Sequence, residues 1–413
     1  MSERADPTVS VTPAPIPAIT IWALSLAAFA SGISLRLTDP LLPRFAAEFG
    51  VTVGRAAAVI TSFSVAYGLS QLFFGPVGDR FGKYRVIAWA CAACAVTASL
   101  CGLAQGFGQL VAARLVAGAT AAAVIPLAMA WIGDVVPYER RQPVLARFLI
   151  GQILGVSAGV WLGGFTADHL NWRVPFFAIG LGFALISASV FRLMRRLPAR
   201  ALTLHHVEGH ALSRMVGEFG QVLAQPWARI VLATVFLEGA LLYGVFAFIA
   251  THLHQVFGLS LSTAGSMVML FGIGGLLFAL TSAWLVRRLG EAGLAAGGGM
   301  LMTAALLAIG LAPVWWWAIP ACFVVGLGFY MLHNTLQINA TQMAPERRGA
   351  AVSAFASSFF LGQATGVAVF GLFVGRFGTA PLIVTGAGAL LCVALNFSRR
   401  RARTPARPAA ART

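Results

Sequence analysis

The chain has 413 residues, 59% hydrophobic and 10% charged, with a net charge of +16 and a mean hydropathy of +0.83. A soluble domain carries about 25% charged residues, so this chain cannot cover its surface with polar groups, and lipid must be its solvent. The positive balance would suit a nucleic-acid binder, but an excess of Lys and Arg on one side of a bilayer accounts for it, and nucleic acid is set aside as a partner.

Residues 1–18 carry Glu3, Arg4, Asp6 and four prolines and read as a disordered tail without a cleavable signal. Twelve apolar runs follow: Ile19–Leu42, Ala57–Val77, Val86–Gly106, Leu110–Ile132, Phe148–Ala167, Val174–Phe191, Ile230–Ile249, Thr263–Leu285, Leu294–Leu311, Trp316–Asn339, Ala351–Val374 and Ala380–Phe397. A bilayer takes roughly 20 apolar residues per helix. Backbone groups in hydrocarbon must be satisfied within the segment, so these runs are helices. The reading is an all-α membrane protein of twelve spans, with six-helix bundles at 19–192 and 228–397. A cytoplasmic linker at 193–227 joins the bundles, and a basic tail occupies 398–413.

Of the 29 Lys and Arg, four (Arg44, Arg55, Arg173, Arg376) fall in loops on one side and two (Arg36, Arg114) inside spans. The other 23 share the opposite side with both termini, which places that side in the cytoplasm of a bacterial inner membrane. The C-terminal arginines, from Arg399 to Arg412, suit a tail lying against anionic lipid. In the linker, Val207–Leu223 has apolar residues at helical spacing and reads as an interfacial helix. His205, His206 and His210 beside it read as solvated. The five cysteines lie in apolar runs as packing residues, and no metal site is expected.

The halves repeat. Val286–Glu291 follows Gly78–Lys83 by 208 residues, so Arg288 answers Arg80 and Gly290 answers Gly82. Pro137-Tyr-Glu-Arg-Arg141 is echoed by Pro345-Glu-Arg-Arg348, and Gly151-Gln-Ile-Leu-Gly155 by Gly362-Gln-Ala-Thr-Gly366. Parallel repeats of this kind place a binding site at mid-membrane between the halves.

The stretch Gly75-Pro-Val-Gly-Asp-Arg-Phe-Gly-Lys-Tyr-Arg85 reads as a charged turn between two spans. It resembles the span 2–3 signature of the major facilitator superfamily, with Val77 and Tyr84 as departures. The resemblance, extended by the repeats, covers nearly the whole chain. It implies the family's fold of two pseudo-symmetric bundles and secondary active transport by alternating access. It makes Gly75, Gly78, Asp79, Arg80, Gly82, Lys83 and Arg288 gating residues, and Asp134 resembles the acidic residue that pairs with this loop. Asp79, Arg80 and Asp134 are expected to form a charge cluster that holds the halves shut in the outward-open state; a solvated loop salt bridge is the alternative. Gly151, Gly155, Gly159, Gly163 and Gly164 on span 5 resemble the family's antiporter signature without its proline, and equally suit ordinary close helix packing.

Three intramembrane charges stand out. Arg114 resembles the span 4 arginine of proton-coupled carriers. It is expected near Asp39, which could instead cap span 1, with Arg36 as its neutralising partner. Glu238 lies about eleven residues beyond Trp227, roughly 16 Å along the axis and near mid-membrane. No basic residue is within two turns of it, so it is read as an unpaired carboxylate that could carry a proton or hold a cationic substrate. Arg36, Tyr243, His333, Asn334 and Gln337 are expected to line a substrate cavity, although for Asn334 and Gln337 bonding to neighbouring helices is the favoured alternative.

No phosphate-binding loop and no nucleophile–base set is present, so the chain is not read as an ATP-driven pump or an enzyme. The resemblance implies proton-coupled efflux of a drug-like or amphipathic compound. Proton-coupled uptake of a small metabolite or organic anion is the alternative, and a non-transporting membrane sensor a third. The proton gradient replaces any cofactor. The expected partners are a small-molecule substrate and the lipid bilayer, and the expected state is a monomer.

Overall fold

The computed structural model describes residues 17–202 and 211–403. The N-terminal tail before Pro17, the three linker histidines, and Arg407 and Arg412 lie outside the described residues. Among those described there is no strand. Ten helices each cross once: Ala18–Arg36 (span 1), Val53–Phe81 (2), Lys83–Leu103 (3), Phe107–Val135 (4), Arg140–His169 (5), Val174–Met194 (6), Pro226–Phe257 (7), Trp315–Gln342 (10), Pro345–Phe377 (11) and Thr379–Arg403 (12).

The remaining helical segment, Leu261–Leu311, has 51 residues. At 1.5 Å per residue it would run about 75 Å, more than twice the hydrocarbon thickness. It breaks at Gly290, whose φ of 63° and ψ of 176° leave the helical region. Its legs, residues 261–289 and 291–311, are spans 8 and 9. Phe278 of one leg, Leu294 of the other and Met331 of span 10 pack as one cluster. Twelve crossings result.

The matching loop in the first half is also one residue long. Span 2 stays helical through Phe81, with Pro76 inside it, and Lys83 opens span 3. Gly82, at φ 88°, makes the whole reversal. The sequence read an eleven-residue turn there; the glycines before Gly82 are helical instead. Both reversals need a positive φ that a side chain would strain, so Gly82 and Gly290 occupy equivalent places.

Two cores form. One gathers Leu24, Phe63, Tyr84, Trp131 and Phe183 from spans 1–6. The other gathers Val235, Phe246, Phe271, Phe329 and Phe397 from spans 7–12. Each is knitted by glycines. A side chain at Gly151, Gly155, Gly159 or Gly163 would strike the backbone of Ser25, Phe29, Ile33 or Leu37, two four-residue ladders in register between spans 5 and 1. In the second half Gly362 and Gly366 of span 11 meet Phe236 and Ala240 of span 7 in the same way. Backbones this close gain dispersion contacts that lipid cannot replace. Leu280 and Leu372, 85% and 79% exposed, lie on the outer surface, where lipid is the solvent that suits them.

Gly164 departs from its ladder and abuts the Leu261 carbonyl of span 8, across the bundle boundary. Beside it, Asp168 Oδ2 accepts from the Ser262 amide at 2.6 Å, and Ser262 Oγ donates to the Gly164 carbonyl at 3.3 Å. Gly54 of span 2 and Gly371 of span 11 meet backbone to backbone at the same face. The two bundles are therefore pinned together on the face opposite the Gly82 loop. The linker helix Ala211–Ala224 buries Val222 in the second core and leaves Val216 and Leu223 exposed. Gln221 Oε1 accepts from Arg347 Nε at 2.9 Å, fixing that helix to span 11.

Candidate functional site

Span 7 is α-helical from Pro226 to Glu238 and then widens into a π-helical turn over Gly239–Tyr243. Such turns are rare and gather at functional sites. Gly239 permits the contact with the Phe359 carbonyl that the bulge brings. Glu238, at the edge of this turn, is wholly buried. Its Oε2 lies 2.8 Å from His333 Nδ1 of span 10, and its Oε1 has no partner. The expectation of an unpaired carboxylate is corrected: the partner sits 95 residues away, on a helix that the local spacing around Glu238 could not reach. Where His333 Nδ1 carries the proton it donates to Glu238, and where it does not the Glu238 carboxyl must donate instead. His333 is the more accessible member, its side chain 17% exposed against 0% for Glu238.

Aromatic rings enclose this pair. His333 lies 4.8 Å from Phe329, 4.7 Å from Phe359 and 5.3 Å from Phe355. Tyr243 sits edge-on to Phe329 and Phe359 at 5.4 Å each. The guanidinium of Arg36, from the other bundle, lies 3.8 Å over the Tyr243 ring. A desolvated cation on an aromatic face is worth about 2 kcal/mol. Arg36 Nη2 also donates to Gln363 Oε1 at 2.9 Å, and Gln363 Nε2 donates to Ser64 Oγ at 2.8 Å. Spans 1 and 2 are thus tied to spans 7 and 11 through one arginine and one amide. Gln363 and the phenylalanines were not among the expected site residues. Phe355, Phe359 and Gln363 recur every four residues on one face, which was the available signal.

Of the other expected cavity residues, Asn334 and Gln337 are half-buried and hydrogen-bond to none of the described residues, so they do not bond neighbouring helices. Asp39 Oδ2 pairs with Arg36 Nη1 at 3.4 Å, as a neutralising partner would. Arg114 forms no ion pair with Asp39. Its Nη1 donates to the Ser34 carbonyl at 3.1 Å and its Nε to the Val59 carbonyl at 3.4 Å, and its guanidinium lies 4.0 Å over Phe63. Arg36, the last residue of span 1 and three residues before Asp39 in the turn that follows, occupies the place that Arg114 was expected to take.

The gating cluster also differs from expectation. Lys83 Nζ is its centre, 3.2 Å from Asp79 Oδ1 and 2.6 Å from Asp134 Oδ2. Arg80 is exposed and lies 5.3 Å over Phe81. The ammonium fills the space between the carboxylates, so Arg80 turns outward. All three charges belong to the first bundle, so this cluster ties spans 2, 3 and 4 and does not bridge the halves. A side chain on Gly78 would meet Leu127 and the Lys83 stem, while Gly75 has open space around it. Arg288 lies 6.0 Å over Trp284, as Arg80 lies over Phe81. Among the described residues no cluster of side chains could hold a metal ion.

Two bundles in parallel repeat, joined around a buried polar centre at mid-membrane, define a membrane carrier. The chain matches the Major Facilitator Superfamily over residues 24–366 and belongs to that superfamily. It is similar to an uncharacterised MFS-type transporter of Bacillus subtilis, YceJ, with 26% identity over 85% of this chain and 88% of the other. The multidrug efflux protein YfmO of the same organism is 26% identical over 89% of each chain. A solved bacterial homologue of the human lysosomal transporter Spinster, in an inward-facing conformation, has the same fold, with a TM-score of 0.73, 17% identity and coverage of 96% of this chain and all of that one. The protein is a multi-pass membrane transporter.

Proposed function

We propose that this transporter exports an amphipathic, drug-like compound across a bacterial inner membrane in exchange for protons, with both termini in the cytoplasm. The observation that carries this reading is the buried Glu238–His333 pair, set between a π-helical turn and a wall of aromatic rings. Aromatic faces accept flat apolar groups of many shapes, and the carboxylate–imidazole pair offers a place for the exchanged proton. The efflux protein of similar length and 26% identity supports the direction. The pinned face opposite the basic loops suits a carrier open to the cytoplasm, ready to load. Proton-coupled uptake of an organic anion is the second reading, favoured by Arg36 at the bundle boundary. No cofactor is required, and a single chain contains the whole site.

Flux in proteoliposomes with imposed pH gradients tests both readings. Export by exchange runs faster when protons are concentrated on the side the substrate is leaving for; uptake with protons responds to the opposite gradient. Glu238→Gln is expected to abolish gradient-driven flux while the protein still folds and inserts. Gradient-driven flux at the unsubstituted rate in that variant removes the pair from the mechanism.

A further inference from the structure

Arg114 is a buried cation, 2% exposed, with no carboxylate in contact. Two of its nitrogens donate to backbone carbonyls, but Nη2 has no partner. It lines a small cavity inside the first bundle with Ser34, Thr97, Cys101, Ala117 and Phe176, with room for about one water-sized body. The polar chemistry of these walls is one-sided. Arg114 Nη2 offers N–H donors, and the Ser34 hydroxyl and the Cys101 thiol line the same space. No carboxylate lines the space, and Asp39 is engaged by Arg36. An uncompensated charge in a membrane interior is costly unless a partner or water meets it. A donor-rich, acceptor-poor cavity beside such a charge is complementary to an anion. Its small size excludes phosphate, sulfate and organic acids and admits one ion little larger than water.

We propose that this cavity binds a single monovalent halide, chloride in the cell, held by Arg114 Nη2 with Ser34 Oγ as a second donor. The site lies within the first bundle, apart from the Glu238–His333 pair, so it neither requires nor restates the export reading. A bound anion supplies the counter-ion that the protein side chains do not.

Thermal unfolding of the purified full chain in detergent tests it, with chloride, bromide or gluconate as the sodium salt at equal ionic strength. The halides are expected to raise the unfolding temperature saturably, by about 2–4 °C, while gluconate does not. Arg114→Gln removes the halide response. Ser34→Ala, a change of one oxygen, raises the halide concentration at half-effect about tenfold, as loss of one hydrogen bond to a charge implies. It keeps the test open should Arg114→Gln fail to fold. Crystals grown in bromide place an anomalous peak in the cavity. Equal unfolding temperatures in halide and gluconate mean that the cavity holds water only and overturn the proposal. So does a halide response that Ser34→Ala leaves unmoved, which would put the ion elsewhere.

Discussion

The two bundles share their backbone devices and differ in their charges. Gly82 and Gly290 reverse the chain at matching positions, and the span 5/1 glycine ladder has its counterpart between spans 11 and 7. Lys83, one residue past the first reversal, binds the carboxylates of Asp79 and Asp134. Glu291, one residue past the second, accepts instead from Arg401 at 2.8 Å and Asn339 at 2.9 Å. The sign has inverted while the job, fastening a reversal to its neighbouring helices, is the same. Chain reversal and close approach depend on the absence of a side chain, which nothing but glycine supplies. A salt bridge depends only on opposite charges, so either partner can carry either sign. Geometry is the duplicated part, and charge is what two copies are free to trade.

The strongest challenge to this comparison is steric. Gly155→Leu and Gly366→Leu each force a side chain into a facing backbone and are expected to cost about 3 kcal/mol or more. Both should sharply reduce the folded fraction on size-exclusion chromatography. Loss in one bundle only would mean that the ladders are not equivalent. Next is exchange of the inverted charges. Lys83→Glu sets three carboxylates together, and Glu291→Lys sets a lysine against Arg401. Each is expected to slow transport about tenfold. The double variant should be no better than the worse single, since the two networks lie in different bundles, and rescue would show direct contact between the loops. The smallest effect is expected from Arg80→Ala and Arg288→Ala. Both arginines are exposed and lie over a ring, so removal should leave the unfolding temperature within about 2 °C.

Much of the fold was legible because hydrocarbon imposes it. Run length marks a crossing, and repeated loops mark a repeated bundle. Even the fused spans 8 and 9 read as two runs in the sequence, with the break at Gly290 inside the loop between them. The site was harder to read. Glu238 was visible as a lone acid in an apolar run, but its partner is a matter of which helices touch. Lys83 and Arg80 are both within reach of Asp79 in sequence, and only the approach of Asp134 from span 4 to Lys83 shows which turns inward. The expected Arg114–Asp39 contact failed for a similar reason, because a nearer cation, Arg36 at the end of the helix just before Asp39, was available. The π-helical turn left no trace in composition, since its residues would suit an α-helix equally well.

That turn bears on how span 7 can be altered. An α-helix advances about 100° per residue, so one surplus residue in the bulge reorients the rest of the rod by more than a quarter of a revolution. Excising Ala240 would straighten the helix, yet it would swing away from its present neighbours either Glu238 or the outer segment, whose His252 contacts Thr379 Oγ1 at 2.8 Å and the Ile309 carbonyl at 3.1 Å. The bulge thus sets two registers in one continuous element, one aimed at His333 of span 10 and one at spans 9 and 12, and neither can be trimmed without misaligning the other.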